Sequence, residues 1–86
     1  MKNLVFEPEA FDELKEWIEH DKKIALKILE LIQEIQRTPY KGKGKPEALK
    51  HEYSGYWSRR INLEHRLIYK VTEEEILIIA CKYHYS

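Results

Sequence analysis

Residues 76–81 near the C-terminus, Ile-Leu-Ile-Ile-Ala-Cys, constrain the fold of this chain more than any other segment. A strand that is apolar on both faces belongs inside a sheet, with a neighbouring strand on each side. A strand predicted over residues 65–71 supplies one neighbour, and a short N-terminal strand over residues 2–6 is the natural second. The pattern therefore predicts a sheet in which the last strand is interior and lies beside the first.

Two stretches between residues 8 and 38 carry apolar residues at helical spacing. The first begins at Pro8, a residue that suits the first turn of a helix, and ends near His20 and Asp21. The second ends at Thr38, because Pro39 disfavours helical geometry at the residue before it. Together they predict an antiparallel helical hairpin. The apolar stripes comprise Ala10, Phe11, Leu14, Trp17 and Ile18, and then Ile24, Ala25, Ile28, Leu29, Leu31, Ile32 and Ile35.

From residue 41 onwards the pattern is typical of strands and turns. Gly42, Gly44 and Pro46 break any helix, and Ser54 with Gly55 marks a turn. Strands are predicted over residues 48–53, 57–62, 65–71 and 75–83. The order β-α-α-β-β-β-β predicts a two-layer α+β domain with both helices on one face of the sheet, and residues 1–86 form this single domain.

The formal net charge of zero hides a segregation of charge along the chain. Residues 39–72 hold eight Lys/Arg and three Asp/Glu, whereas residues 1–38 hold six and nine. A basic middle segment predicts a local anion site, with a solvated basic surface as the simpler alternative. No apolar run reaches membrane-spanning length, and the N-terminus lacks the apolar core of a signal peptide. With its single cysteine, Cys81, expected to be buried, the chain fits a reducing cytoplasm.

The chain contains the groups that cleavage of RNA by its own 2′-hydroxyl requires. A base must remove the 2′ proton, a cation must stabilise the phosphorane, and an acid must protonate the leaving 5′-oxygen. Glu47, which stands among several lysines, is the candidate base, and Arg66 offers a planar fork that matches phosphate oxygens. His84 is the candidate acid, because imidazole titrates near neutrality.

Each of these candidates also has a plainer interpretation. Glu47 could be an ordinary loop glutamate, and His84 a frayed terminal histidine. Arg66 could be a strand arginine paired with Glu64 or Glu52. The apolar strand before His84 argues against fraying, because it anchors the tail almost to its end. No Cys, His, Asp or Glu residues have metal-ligand spacing, so neither a metal nor a cofactor is predicted.

Basic and aromatic side chains around these groups are the candidate RNA contacts. Lys45, Lys50 and Arg60 would contact the phosphate backbone. Tyr85, together with Tyr56, could stack on bases or bond a phosphate oxygen. Lys45, Lys50, Arg60 and Tyr56 are the predicted substrate-binding residues, and Tyr85 is grouped with the catalytic candidates.

Adjacent residues of a strand point to opposite faces, which separates the roles of neighbouring side chains. Arg59 and Arg60 cannot both line one site, so one of them would grip RNA and the other would serve a salt bridge or a partner surface. Trp57 and Tyr69 are expected to pack in the core.

Four motifs of this sequence occur together in one known family. They are Gly-Lys-Gly-Lys-Pro-Glu at 42–47, Ser-Gly-Tyr-Trp-Ser-Arg-Arg-Ile at 54–61, Glu-His-Arg-Leu-Ile-Tyr at 64–69, and Cys-Lys-Tyr-His-Tyr at 81–85. The combination resembles the YoeB (Txe/YoeB) family of toxins, which belongs to the RelE superfamily of bacterial type II toxin–antitoxin proteins. The resemblance runs almost end to end, and the combination is specific although each motif alone is weak.

The resemblance implies a RelE-like β-α-α-β4 fold with a mostly antiparallel five-stranded sheet in the order 1-5-4-3-2. It also implies a ribosome-dependent, metal-independent endoribonuclease that cleaves mRNA in the 30S A site and stops translation. The family's functional positions fall on Glu47 (general base), Arg66 (transition-state arginine), His84 (general acid), Tyr85 (C-terminal tyrosine), and Lys50 and Arg60 (accessory phosphate contacts).

The partners implied by the resemblance are mRNA, the ribosome, a YefM-like antitoxin and a second copy of the chain. Two positions depart from the family pattern: Ala48 stands where a second proline is common, and Ser86 follows the usual terminal tyrosine. Two other functions stay open, a ParE-like gyrase inhibitor of the same fold and a non-catalytic RNA-binding module. The joint presence of Glu47, Arg66 and His84 favours the nuclease, because neither alternative needs an acid and a base.

Overall fold

The computed structural model describes residues 1–83, which form a two-helix hairpin and a five-stranded sheet. The elements are β1 (Asn3–Phe6), α1 (Pro8–His20), α2 (Lys22–Arg37), β2 (Glu47–Ala48), a 3-10 turn (His51–Tyr53), β3 (Trp57–Arg60), β4 (Arg66–Val71) and β5 (Glu75–Ala80). This order confirms the predicted β-α-α-β4 domain.

The sheet has the strand order β1-β5-β4-β3-β2. β1 runs parallel to β5, and every other neighbouring pair is antiparallel. The apolar last strand is therefore interior, between β1 and β4, as its two apolar faces predict. The parallel β1–β5 pair joins the N-terminal part of the chain to its last strand, in register from Asn3↔Glu75 to Phe6↔Ile78.

The two helices pack on one face of this sheet and enclose the core with it. Pro8 occupies the first turn of α1, and the Asp21 carboxylate accepts a hydrogen bond from the N–H of Ile24 at the start of α2. The core predictions for Tyr69, Trp57 and Cys81 are confirmed. Its central buried side chains are Ala10, Leu14, Ile28, Leu31, Ile32, Ile35, Leu67, Tyr69, Ile76 and Ile78.

The strand predicted over residues 48–53 is wrong beyond its first residue. β2 covers Glu47 and Ala48, after which Leu49 donates one further bond to the carbonyl of Tyr56, 2.9 Å away. His51 then has a φ of +59°, in the left-handed region that no strand uses, and the chain turns into a 3-10 helix. The sequence pattern does not signal this turn, because no glycine marks it.

Two other strands end earlier than predicted, because backbone N–H groups at or just beyond their ends donate hydrogen bonds to side chains instead of to a neighbouring strand. β3 stops at Arg60, since the Asn62 side chain accepts bonds from the N–H groups of Glu64 and His65 and closes a turn. β5 stops at Ala80, where the next N–H, that of Cys81, donates to a helix side chain instead of a strand. Neither helix within residues 1–83 is long and apolar enough to cross a membrane.

Candidate functional site

Strand register brings three of the predicted site residues to the sheet face that lies opposite the helices. Glu47 pairs with Ser58, and Arg60 pairs with Arg66. Directly paired residues share a face, as do residues two apart on a strand. Glu47, Arg60 and Arg66 therefore share the face away from the helices, because Leu67 and Tyr69, at alternate positions, are buried beneath α1 and α2.

Two strand spacings and an offset along the strands separate Glu47 from Arg66. Glu47 lies on β2 and Arg66 on β4, with β3 between, and Glu47 is level with Ser58 whereas Arg66 is level with Arg60, so their Cα atoms are about 12 Å apart. Glu47 and Arg60 are exposed, and Arg66 is half-buried. The face thus carries a carboxylate opposite cations, the arrangement that base catalysis on a phosphate ester requires.

Arg66 is held in place by main-chain atoms rather than by an acid. Its Nη1 atom donates to the carbonyls of Asn62 at 2.8 Å and His65 at 3.2 Å. Its own N–H donates to the carbonyl of Tyr83 at 2.7 Å. The bonds that the Arg66 side chain makes to residues 1–83 all use Nη1. The alternative in which Arg66 pairs with Glu64 or Glu52 is not the arrangement observed within residues 1–83.

The loop that leads to Glu47 is fixed by a buried arginine, Arg59, whose exposed fraction is 0%. Its guanidinium donates to the carbonyls of Thr38, Lys41 and Lys43, and its Nε donates to the hydroxyl of Tyr69. The prediction that this arginine grips RNA, pairs with an acid or meets a partner is wrong. Strand alternation already places it on the apolar face, but the sequence does not show that loop carbonyls would satisfy it.

The segment that follows β5 is also held by side chains. The N–H of Cys81 donates to the Glu13 carboxylate at 2.8 Å, and the indole N–H of Trp17 donates to the Cys81 carbonyl at 2.8 Å. The N–H of Tyr83 donates to Nδ1 of His65 at 2.7 Å. The chain is therefore fixed up to its last described residue, although the strand has ended.

Burial raises the pKa of two groups that meet here, the Glu13 carboxyl of α1 and the Cys81 thiol. It raises the pKa of the Glu13 carboxyl, and the bond from the Cys81 N–H opposes that shift. Burial, aided by the nearby Glu13 charge, raises the pKa of the Cys81 thiol to about 12. Cys81 is therefore a protonated core residue at neutral pH, as its apolar surroundings in sequence predict.

The remaining predicted residues are distributed around the open face. Tyr56 is half-buried, with the Lys70 ammonium 5.5 Å from its ring centroid. Lys50 is exposed just before the 3-10 turn, and Lys45 is exposed just before Pro46. His84 and Tyr85 lie outside the described residues, so their proposed positions stay predictions.

A cavity lies beside this face. It has a volume of about 720 Å³ and is lined by Lys45, Arg60 and residues of α2 that include Lys27 and Leu31. Glu47 and Arg66 are not among the residues that line it. No group of three or more Cys, His, Asp or Glu side chains within residues 1–83 is arranged to hold a metal ion.

Sequence reasoning missed the residues that hold the two irregular segments, Arg59 and His65. Both lie at inward positions of the alternating pattern, next to the outward Arg60 and Arg66. A polar residue at an inward strand position is the signal that could have found them, because a buried polar group needs hydrogen-bond partners. Their partners are main-chain atoms far away in sequence, which no periodicity reveals.

Comparison with known proteins agrees with this architecture. The family described as "YoeB-like toxin of bacterial type II toxin-antitoxin system" matches residues 6–85. Toxin YoeB of Escherichia coli (strain K12) is 56% identical over 82 residues, which covers 95% of this chain and 98% of that protein. Toxin RelK of Mycobacterium tuberculosis (strain ATCC 25618 / H37Rv) is 47% identical over 85 residues, covering 99% of this chain and 100% of that protein.

Solved structures show the same fold. A YoeB dimer from Staphylococcus aureus has a TM-score of 0.91 at 49% identity, covering 98% of each chain. A heterotetrameric YoeB–YefM complex from the same organism has a TM-score of 0.89 at 49% identity, covering 99% of each chain. A YoeB/ParE toxin from Agrobacterium tumefaciens has a TM-score of 0.92 at 41% identity, covering 99% of this chain and 100% of that one. The protein whose sheet and helices are described above therefore belongs to the YoeB-like toxin family of bacterial type II toxin–antitoxin systems.

Proposed function

We propose that this toxin is an endoribonuclease that cleaves mRNA in the ribosomal A site and so stops translation. The observation that carries the proposal is the shared face of Glu47, Arg60 and Arg66, with the C-terminal segment fixed beside Arg66. The carbonyl of Tyr83 accepts a bond from the Arg66 N–H. His84 follows Tyr83 directly in the chain, and in the proposal it acts on the same phosphodiester as Glu47 and Arg66.

The proposed reaction uses protein groups alone. The Glu47 carboxylate removes the 2′-hydroxyl proton, and the 2′-oxygen attacks the adjacent phosphorus. The Arg66 guanidinium bonds the non-bridging oxygens, whose negative charge grows in the transition state. His84, as imidazolium, gives its proton to the departing 5′-oxygen. The products are a 2′,3′-cyclic phosphate, which water can open to a 3′-phosphate, and a 5′-hydroxyl.

Substrate binding in this proposal extends the same face. Lys45, Lys50 and Arg60 neutralise phosphates on either side of the cleaved bond. Tyr56 and Tyr85 stack on bases or bond a phosphate oxygen. Because these contacts are mostly electrostatic, we expect binding of RNA to weaken as the salt concentration rises.

The proposed requirement for the ribosome has a physical motive. A small protein with few general acid and base groups needs its substrate to be positioned for it. Alignment of the 2′-oxygen with the leaving group can contribute several powers of ten to the rate. In the proposal, the ribosome supplies that alignment by holding the codon, and the toxin acts in the cytoplasm, where ribosomes are found.

Relatives suggest the protein partners. The solved S. aureus structures are a YoeB dimer and YoeB–YefM complexes. We propose that this chain likewise forms a homodimer and is neutralised by a YefM-like antitoxin. Co-expression of the chain with a cognate antitoxin, followed by size-exclusion chromatography, tests both assemblies.

Mapping of RNA ends with and without ribosomes tests the proposed activity. We expect cleavage of ribosome-bound mRNA with 2′,3′-cyclic or 3′-phosphate ends, unaffected by a metal chelator. Loss of a general acid or base lowers the rate by about 10²–10⁴-fold, so Glu47→Ala and His84→Ala should fall in that range. Glu52→Ala is the matched control, because Glu52 is an exposed glutamate of the neighbouring 3-10 turn. Full activity of both site variants would contradict the proposal.

The similarity to a protein called a YoeB/ParE toxin is the reason to test a second function, inhibition of DNA gyrase. A ParE-like gyrase inhibitor would damage DNA in expressing cells while their mRNA stayed intact. An RNA-binding module would retain mRNA on the protein without producing new ends. The same expression experiment therefore separates the three functions, since RNA cleavage, DNA damage and simple binding are scored side by side.

A further inference from the structure

We propose that His65 is a positioning residue that fixes the main chain at Tyr83 through its Nδ1 atom, and so fixes the point beside Arg66 from which the chain continues to His84. The inference rests on the proposed nuclease function, in which His84 is the acid. It deepens that function by naming the group that would hold the acid in place.

His65 is built into the protein as a neutral hydrogen-bond acceptor. Its residue surface is 7% exposed, and its ring meets Trp17 edge to face with centroids 4.8 Å apart. Nδ1 accepts the bond from the Tyr83 N–H at 2.7 Å, so the ring proton must sit on Nε2. Nε2 lies 3.5 Å from the Glu64 carboxylate, which favours that tautomer. The ring is therefore fixed in orientation, with Nδ1 facing the Tyr83 N–H.

The main chain at Tyr83 has a conformation that needs such support. Its φ is +62°, in the left-handed region that a bulky non-glycine residue avoids. A residue stays in that region only where surrounding contacts hold it there, and such residues cluster at functional sites. Tyr83 has two main-chain contacts of this kind, its N–H to His65 Nδ1 and its carbonyl to the Arg66 N–H.

His65 is the last side-chain anchor on the main chain before His84 within the part of the chain that the structure describes. The earlier anchors, Glu13 and Trp17, hold Cys81, two residues upstream. Without the His65 side chain, the bond from the Arg66 N–H to the Tyr83 carbonyl would be the one described main-chain bond left to hold Tyr83. The torsions of Lys82 and Tyr83 would then be less restricted, while Cys81 stayed fixed.

The two anchors of Tyr83 also couple the tail to the catalytic arginine. His65 and Arg66 are adjacent, and they bind the two sides of the same residue, one through a side chain and the other through its main chain. A shift of the tail relative to His65 is therefore also a shift relative to Arg66. Misplacement of a catalytic group by about 1 Å can cost about 100-fold in rate.

Two substitutions separate positioning from packing. His65→Phe keeps an aromatic ring edge for Trp17 but has no acceptor, whereas His65→Asn places an amide oxygen near the Nδ1 position and loses the ring. We expect His65→Phe to lower kcat on ribosome-bound mRNA by at least about tenfold, with KM little changed, because RNA contacts are intact. We expect His65→Asn to recover most of that loss. His20→Asn, at the exposed end of α1, is the matched control and should match the wild type.

A purely structural role predicts the opposite order. If His65 only fills space, His65→Phe keeps its activity and His65→Asn is the more damaged variant, in step with its stability in urea. That result would overturn the proposal. Should His65→Phe fail to fold, the comparison of His65→Asn with His65→Leu, which lacks both ring and acceptor, gives the same contrast.

A measurement on the resting protein separates this inference from the proposed function. In ¹⁵N-labelled full-length His84→Ala protein, we expect a coupling through the hydrogen bond between the Tyr83 amide nitrogen and His65 Nδ1, and slow exchange of the Tyr83 amide proton. If the coupling is present and the wild-type protein cleaves no RNA, the nuclease proposal fails while the anchor stands. If the wild type cleaves RNA and the coupling is absent, the anchor is wrong and the nuclease proposal stands.

Discussion

Replacement of Arg59 by alanine should be among the most damaging single substitutions in this protein. The guanidinium is fully buried and donates four hydrogen bonds, three of them to carbonyls of the loop that precedes Glu47. A hydrogen bond from a charged group contributes about 1.5–3 kcal/mol, but the carbonyls of Lys41 and Lys43 belong to exposed residues and regain water when the arginine is lost. The expected net loss is about 3–4 kcal/mol, near the range seen when one partner of a buried polar pair is removed.

That loss is large compared with the total stability of so small a domain. At about 0.05–0.15 kcal/mol per residue, a chain of this length is stable by roughly 4–13 kcal/mol. Small domains lose about 1 kcal/mol of stability per molar urea, so the midpoint of Arg59→Ala should fall by about 3 M. Trp17 and Trp57 are both partly buried against the core, so their fluorescence reports the transition.

The adjacent arginine provides a matched control. Arg60 is exposed on the opposite face, and its ordered contact is the main-chain bond from its N–H to the Gly44 carbonyl, which alanine keeps. Arg60→Ala should therefore change the free energy of unfolding by no more than about 0.5 kcal/mol. Arg59→Lys should fall between the two, because an ammonium has the charge but not the fork that reaches three carbonyls.

This prediction is wrong if the free energy of unfolding of Arg59→Ala lies within about 1 kcal/mol of the wild-type value, since ordinary exposed substitutions cost that little. It also fails if Arg59→Lys is fully stable, because charge alone would then suffice. Hydrogen exchange gives a second test: amides of residues 38–45 should exchange faster in Arg59→Ala even under conditions where the helices are still protected.

Three further predictions concern buried and constrained positions. Cys81, whose thiol pKa is raised to about 12, should react with a thiol reagent at pH 8 no faster than the protein unfolds, and rapid labelling of the native protein would contradict this. Burial raises the pKa of the Glu13 carboxyl, so the protonated carboxyl favours the folded state below about pH 4, and that contribution is lost as the pH rises and the group ionises. Glu13→Gln should therefore equal or exceed the wild type in urea stability at pH 7, and the two proteins should have the same stability at the low pH. Gly55→Ala should cost about 1 kcal/mol for its φ of +97° alone, and Gly44→Ala should cost at least about 1 kcal/mol more, because its new methyl group would lie 3.1 Å from the Arg59 Cβ atom; equal losses in urea denaturation would refute the steric argument.

The regular part of the fold could be predicted from the sequence because burial repeats with the period of each element. The spacing from Ala10 to Ile35 predicts both helices, and Pro8 and Pro39 mark their outer limits. The two apolar faces of β5 predict its interior position. The errors lie at strand ends, where Asn62 and Glu13 replace strand partners with side-chain bonds.

The site could be predicted in part. Residue type and motif position identify Glu47 and Arg66, and strand alternation separates Arg59 from Arg60. The register that brings Glu47 and Arg66 to one face depends on β3 pairing with both neighbours, which no local pattern specifies. The partners of Arg59 and His65 could not be predicted, because they are backbone atoms 16 to 21 residues away from Arg59 and 18 residues away from His65.

Strand alternation places the two anchoring residues, Arg59 and His65, on the inward face and the neighbouring arginines on the outward face. Arg59 and Arg60 are adjacent, as are His65 and Arg66, and Arg60 pairs directly with Arg66 across β3 and β4. In each adjacent pair the inward residue bonds the main chain of an irregular segment, and the outward residue presents a cation to the open face. Because the two residues of a pair share a peptide bond, each irregular segment is held in fixed relation to one outward arginine. If the proposed reaction is correct, this arrangement lets the loop before Glu47 and the segment that ends at Tyr83 be irregular and still keep a defined position relative to Arg60 and Arg66.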